Sequence, residues 1–285
     1  MTPQAGILPG IPDHGRFIEF RIRTGANVAK ALRGLEADAH MVVGLGPALV
    51  AGLGDVPELH GFRAVSAGVE VPSTQADLWL WLRGSDRGEI AKRARQVVRD
   101  LHGSFDVVRS VNGFKYGVDL EIGLDLSGYE DGTENPVDEA ALAAAFAPDG
   151  SSFVAVQQWV HDLDAFDAKP VLERNHIIGR RISDNEEIED APEFAHVKRT
   201  AQESFSPEAF VLRRSMPWAE AGGEGLVFIA FGHSLDAFEA LLGRMTGQED
   251  GIVDGLFQFS HPVSGAHYWC PPMKDGRLDL SKIGI

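Results

Sequence analysis

The residues best placed to do chemistry lie in the run Asp125-Leu126-Ser127-Gly128-Tyr129-Glu130-Asp131-Gly132-Thr133-Glu134-Asn135-Pro136, which crowds acids, glycines and a proline between apolar segments. Gly128 and Gly132 allow backbone conformations and close approaches that a Cβ forbids, and Pro136 ends any continuing ladder because it has no N–H. Asp131 is therefore held on a shaped loop that reads as a site loop. On turn preferences alone, an acidic surface turn is the commoner outcome for an Asp-Gly pair. A second polar group, Arg213-Arg214-Ser215, sits inside the alternating stretch 210–218. Residues two apart on a strand share a face, so Val211, Arg213, Ser215 and Pro217 point one way, while Phe210, Leu212, Arg214, Met216 and Trp218 point the other. The Arg213/Ser215 face borders either solvent or a cavity, and pattern does not choose between them. Arg214 is out of keeping with its apolar face unless it snorkels. Of the ten histidines, each taken singly is more often a surface or satisfied core residue than a ligand.

The stretch Gly128-Tyr129-Glu130-Asp131-Gly132-Thr133-Glu134-Asn135-Pro136 resembles the G-x-x-D-G motif of the dye-decolorizing peroxidases, in the D-G-T-E-N-P form of their B-type (P-type) members. It is followed, in the family's order, by Ile178-Gly179-Arg180, by Ala195-His196-Val197 with Arg199, and by Arg213-Arg214-Ser215-Met216-Pro217. The likeness runs from about Gly6 to Tyr268-Trp269. It implies a haem peroxidase that reduces hydrogen peroxide and oxidises dyes, phenolics or other organic reductants by single-electron steps. The cofactor it implies is one haem b per chain, with iron axially ligated by His196; His161 and His176 are the fallback ligands. A proximal imidazole usually donates its other N–H to a carboxylate, and Asp254 in Gly251-Ile252-Val253-Asp254-Gly255 sits where the family places a similar acid, although an ordinary turn Asp fits almost as well. The resemblance assigns the proton shuttle to Asp131 and the stabilisation of developing negative charge to Arg213. Ser215 stands where many relatives have Asn. Arg180 is implied as a propionate partner, and Glu134 and Asn135 as neighbours of the haem edge or of the water route.

An unperturbed Asp, with a pKa of about 3.9, would serve as base in mildly acidic solution, so low-pH activity is expected unless burial raises that pKa. Bulky reductants would need a surface aromatic relay, for which Tyr129, Trp159 and Trp269 are candidates against a packing role. An alternative reading is a haem-binding or transfer protein, or an iron-release protein, with incidental peroxidase activity. A haem-free binding module leaves His196 and Asp131 without a task. The family also implies a homo-oligomer. Some relatives travel inside encapsulin shells on a carboxy-terminal peptide; the absence of a long linker in 274–285 weighs against shell cargo.

A formal charge of -16 opposes nucleic-acid phosphates and anionic membrane surfaces. The amino terminus lacks a basic segment followed by an apolar core, and no stretch approaches a membrane span of ~18 apolar residues. With Cys270 the single cysteine, an internal disulfide and a thiolate metal cluster are both excluded, which fits a reducing cytoplasm.

These residues need a scaffold, and periodicity supplies one. Alternation predicts strands at 17–23, 78–82, 105–111, 153–160, 210–218, 226–232 and 256–259, and helical spacing predicts helices at 27–39, 87–101, 140–147, 163–175 and 235–245. Strand, polar turn and helix at 78–98 recur at 226–245, an offset of about 148 residues that suggests a duplication. Each half resembles a split βαβ, ferredoxin-like unit. The expected fold is α+β: two ferredoxin-like halves, residues 1–145 and 146–285, with antiparallel sheets packed together in a DyP-type dimeric α+β barrel. The second half is expected to carry the haem pocket.

Overall fold

The segment Leu78–Gly84 shows how the core is made. Its leucines at 78, 80 and 82 face a cluster with Phe20, Leu32, Leu101 and Phe105. Trp79 and Trp81 turn the opposite way, into a second cluster with Phe17, Val154, Ile229, Phe231 and Tyr268. Both faces are buried, so the strand stores apolar area on two sides of one layer. The computed structural model describes residues 1–117 and 122–285.

A ten-stranded antiparallel sheet organises the chain. Its path runs Leu212–Arg213, Gly223–Gly232, Ser152–His161, Ala266–Cys270, Met41–Leu45, Leu78–Gly84, His14–Ile22 and Phe105–Phe114. Met216–Glu220 and Ser260–Pro262 add to it as side branches. The α+β class with antiparallel sheets is as expected. The strands of the two halves are joined edge to edge through one pairing, Trp269 with Leu45. The sheet curls: Asn112 donates to Glu220 at 3.2 Å, bringing Phe105–Phe114 beside Met216–Glu220. The long helix Arg87–Leu101, N-capped by Asp86, covers the first cluster. Asp236–Met245 covers a third, made of Phe62, Ala155, Val211, Ala230, Phe238, Leu241 and Leu242. No helix among the described residues is long and apolar enough to cross a membrane.

Several boundaries depart from the periodicity. The helix expected at 163–175 is two, Leu163–Asp167 and Val171–Ile178, because Pro170 lacks an N–H and biases Lys169 away from the helical region. The helix expected at 27–39 closes after Arg33, at Gly34. The strand expected at 256–259 is a 3₁₀ turn, Gly255–Gln258, capped by the Asp254 carboxylate, which accepts from Leu256 N–H at 2.8 Å. The strand expected at 210–218 is interrupted at Arg214-Ser215, where the Ser215 hydroxyl accepts from Ile229 N–H at 3.4 Å.

Candidate active site

The motif loop is shaped from within. Asp131 lies on the short strand Glu130–Asp131, paired with Gly123–Leu124. Gly132 follows at φ +107°, where a Cβ would meet Asn135 Nδ2 at 2.9 Å. That space matters because the Asn135 amide clasps the backbone of Arg213. Its Oδ1 accepts from Arg213 N–H at 2.7 Å, and its Nδ2 donates to Arg213 C=O at 3.3 Å. Gln202 does the same work one step away, donating to Glu134 C=O at 2.9 Å and accepting from Val211 N–H at 2.9 Å. One loop thus carries Asp131 and fixes the strand that carries Arg213. Replacing Asn135 with Ala should deprive the partly buried Arg213 N–H of its side-chain partner, while the Arg213 carbonyl keeps Arg214 Nη1 at 2.9 Å, at a cost of about 1–3 kcal/mol in stability. Chemical denaturation should show that loss, and the peroxide reaction should slow through a less firmly held Arg213.

His196 reaches the same region on the one-turn helix His196–Arg199. Its Nδ1 lies 2.8 Å from Asp254 Oδ2, and Asp254 is buried. The carboxylate accepts an Nδ1–H, which leaves Nε2 as the ring's free donor atom. Arg199 anchors this turn, donating to both Asp250 carboxylate oxygens at 2.7 and 2.8 Å and to the Arg244 carbonyl at 2.8 Å. Gly179, in the left-handed region at φ +95°, lets the preceding helix end against it; a Cβ there would lie 2.2 Å from Val197 Cγ2 and 3.3 Å from Ala195 Cβ.

Asp131, Arg213 and His196 line one cavity. The rest of its wall includes Trp159, Leu226, Phe228, Phe238, Leu241 and Met245, with His161 and Gln157 as polar breaks. Asp131 and Arg213 also line a wide outer cleft of about 860 Å³, with Leu8, Ile11, Pro136, Leu142 and Ser215. They therefore stand between the cleft and the cavity. Ser215 borders the cleft only. Arg214, set among apolar neighbours, spends its guanidinium on the carbonyls of Ile7, Leu8 and Arg213, and burial pulls its pKa down to about 10.

Electrostatics separate the acids. Asp131 has its pKa raised, first by burial and then by the Asp125 charge, against the opposing pull of Arg213, His196 and His161. Asp125 is half-buried, yet its pKa is lowered, because hydrogen bonds and charge from His161, with donors from Ser127, outweigh desolvation. His161 bridges Asp125 Oδ1 at 3.1 Å and Ser260 Oγ at 2.6 Å, so both ring nitrogens are engaged. This Asp125–His161–Ser260 chain on the cavity wall was not foreseen as a unit, although Asp125 opens the acidic run. His176 does not reach the cavity. Glu134 and Arg180 pair with each other at 2.6 Å outside the cavity wall, Arg180 also donating to Asn185 C=O at 2.9 Å and lying 3.3 Å from Glu187.

The cavity is about 90 Å³ with a largely apolar wall, so a group the size of haem would enter only with outward movement of that wall. It offers one imidazole whose second nitrogen is locked by a carboxylate. Two buried wall atoms, Arg213 Nε and Gln157 Nε2, lack a hydrogen-bond partner among the described residues. Haem fits that donor set and the apolar character of that wall. The relay candidates do not stand as surface residues: Tyr129, Trp159 and Trp269 are all buried, and the Tyr129 hydroxyl is taken by Asn175 Oδ1 at 2.6 Å. Packing of their large apolar rings wins over exposure.

Comparison with known proteins places the chain in a family. The chain is 31% identical to a dye-decolorizing peroxidase of Rhodococcus erythropolis over 93% of this chain and 78% of that protein. It is 29% identical to one from Brevibacterium linens, over 95% and 80%. Among solved structures, a dye-decolorizing protein from V. cholerae superposes with a TM-score of 0.85 at 27% identity, covering 94% of this chain and 96% of that one. A Rhodococcus jostii DypB variant in complex with heme gives 0.85 at 26% identity, over 95% and 96%. The family model described as "Dyp-type peroxidase, C-terminal" matches residues 123–275, a span that includes every residue lining the cavity. The chain belongs to the Dyp-type peroxidase family.

Proposed function

We propose that this chain is a B-type dye-decolorizing peroxidase that binds haem b through His196, reduces hydrogen peroxide, and oxidises dyes, phenolics or related organic reductants. The reading is carried by one observation: Asp131 and Arg213 border the same cavity as a histidine whose Nδ1 is held by a buried carboxylate. Haem, when bound, supplies the redox equivalents that reduce peroxide and accepts replacements one electron at a time. Every other task falls to the protein. Asp254 keeps the proton on His196 Nδ1 and so strengthens Nε2 as a ligand. Asp131 takes a proton from one peroxide oxygen and delivers it to the departing one, directly or through a water. The Arg213 guanidinium stabilises the negative charge that develops as the O–O bond opens, without changing its own protonation. Trp159, Phe228 and Leu241 keep bulk water from the reacting atoms. Arg180 serves a haem propionate by giving up part of its pairing with Glu134 and Glu187, Asn135 holds Arg213 in place, and Ser215 tunes the outer cleft. A homo-oligomer in the cytoplasm is part of the same proposal.

The raised pKa of Asp131 sets the pH dependence. Only the carboxylate can accept the proton, so the rate of peroxide reduction should fall as pH drops through a value above the ordinary 3.8. The low-pH preference expected of an unperturbed Asp therefore shifts upward. Stopped-flow rates across pH should show this acid limb in the parent and none in Asp131→Asn; an identical limb in both would assign it to another group.

A further inference from the structure

Behind the helix Asp236–Met245, outside the cavity, two imidazoles and a carboxylate converge. His267 belongs to the strand Ala266–Cys270 and is 1% exposed. Its backbone is held at both ends by Gln75, which accepts from His267 N–H at 2.9 Å and donates to its carbonyl at 2.8 Å. The ring packs among Phe62, Phe238 and His60, with centroids 5.0, 5.7 and 5.4 Å away. Neither ring nitrogen has a hydrogen-bond partner among the described residues. A buried imidazole left in this state is costly and calls for a partner.

The neighbouring groups point to what that partner is. His60 Nε2 lies 3.5 Å from Glu239 Oε1, and ligand atoms of His60, Glu239 and His267 all fall within 4.8 Å of one another. Two ligands about 2.1 Å from a tetrahedral ion sit roughly 3.4 Å apart, close to the first of these separations. His60 Nδ1 lies 3.2 Å from the Gly61 carbonyl, which can only accept; that contact places the proton on Nδ1 and leaves Nε2 bare, the usual orientation of a metal-binding imidazole.

We propose that His60, Glu239 and His267 form a binding site for one divalent transition-metal ion, with Zn²⁺ the ion whose donor preferences they match. Two nitrogens and one carboxylate oxygen suit that class, whereas Ca²⁺ and Mg²⁺ favour all-oxygen shells. The side chains of His60 and Glu239 are each 36% exposed, so they can close the last fraction of an ångström and leave a remaining position to water. The ion would tie the connection that carries His60 to the helix whose Phe238, Leu241, Leu242 and Met245 line the cavity. It is a clamp on the cavity wall, independent of the chemistry proposed inside it.

The test is calorimetric titration of the purified, chelator-treated protein with Zn²⁺, beside Glu239→Gln and His60→Ala. Both substitutions are at half-exposed positions, so folding survives where His267 variants risk it. One equivalent should bind, raise the thermal midpoint, and bind at least about 10-fold more weakly in each variant. Absence of one-to-one binding would overturn the proposal and leave water as the partner of His267. Undiminished affinity in either variant would overturn it as well, by placing the ion on surface carboxylates or at His196.

Discussion

His196→Ala should bind haem at least about 100-fold more weakly than the parent and lose the absorption band of the ligated cofactor. Partners in the outer shell of a metal ligand are alone worth roughly 10–100-fold in affinity, and removing the ligand itself costs more. Among the described residues, the one other histidine on the cavity wall is not free to take over. His161 borders the cavity, but its nitrogens are committed to Asp125 and Ser260. Asp254→Asn should fall between parent and variant, because the amide keeps the space but no longer holds an Nδ1–H with a full negative charge. Imidazole added to His196→Ala should restore part of the band. A haem spectrum unchanged in His196→Ala would remove the histidine from its proposed role.

The second large effect concerns the wall that carries Asp131 and Arg213. Arg213→Leu should slow the reaction with peroxide by about 10²–10³, the usual loss when one fixed donor to developing charge is removed. Asp131→Asn should slow it by about 10²–10⁴, the range for a lost general acid–base group. The two are coupled. Arg213 is the strongest of the influences that lower the Asp131 pKa, so Arg213→Leu should also move the acid limb of the rate profile to higher pH. Rapid mixing of each haem-loaded variant with peroxide reads both effects. Parent-like rates in both variants would sink the assignment of this wall.

Much of the scaffold was legible because period-two alternation is strong wherever the two faces of a strand differ or where tryptophans and leucines alternate, as in Leu78–Gly84. The helix Arg87–Leu101 was readable end to end, though its Asp86 cap is visible only in the structure. Met41–Leu45 was passed over because all five residues are buried, which leaves no polar rhythm to detect. Ala266–Cys270 was noticed only as an aromatic-rich segment for the same reason. The 3₁₀ turn at Gly255–Gln258 looked like a strand because its apolar residues pack, while the feature that decides its shape is a single Asp254 side-chain cap. Local pattern carries little of that information.

At the site, resemblance directed attention to Asp131, Arg213 and His196, and the fold brings these three to one cavity from the motif loop, an edge strand and a one-turn helix. Contacts between distant segments could not be read in advance. Asn135 grips the backbone of Arg213 across 78 positions of sequence, and His161 reaches Asp125 across 36. The resemblance implied Asn135 as a neighbour of the haem edge or of the water route; its amide holds the strand that carries Arg213. The aromatic candidates are not the surface residues expected, for a simpler reason: large rings close to the core bury themselves unless something keeps them out.

The central claim is that haem held by His196 meets peroxide in front of Asp131 and Arg213. The most direct test mixes haem-loaded protein with one equivalent of hydrogen peroxide in a stopped-flow instrument and follows the haem spectrum. The account predicts a fast, stoichiometric spectral change that an organic dye reverses in single-electron steps. Firm haem binding with no such change, and ready loss of haem to an acceptor protein, would contradict it and mark the chain as one that carries haem without using it.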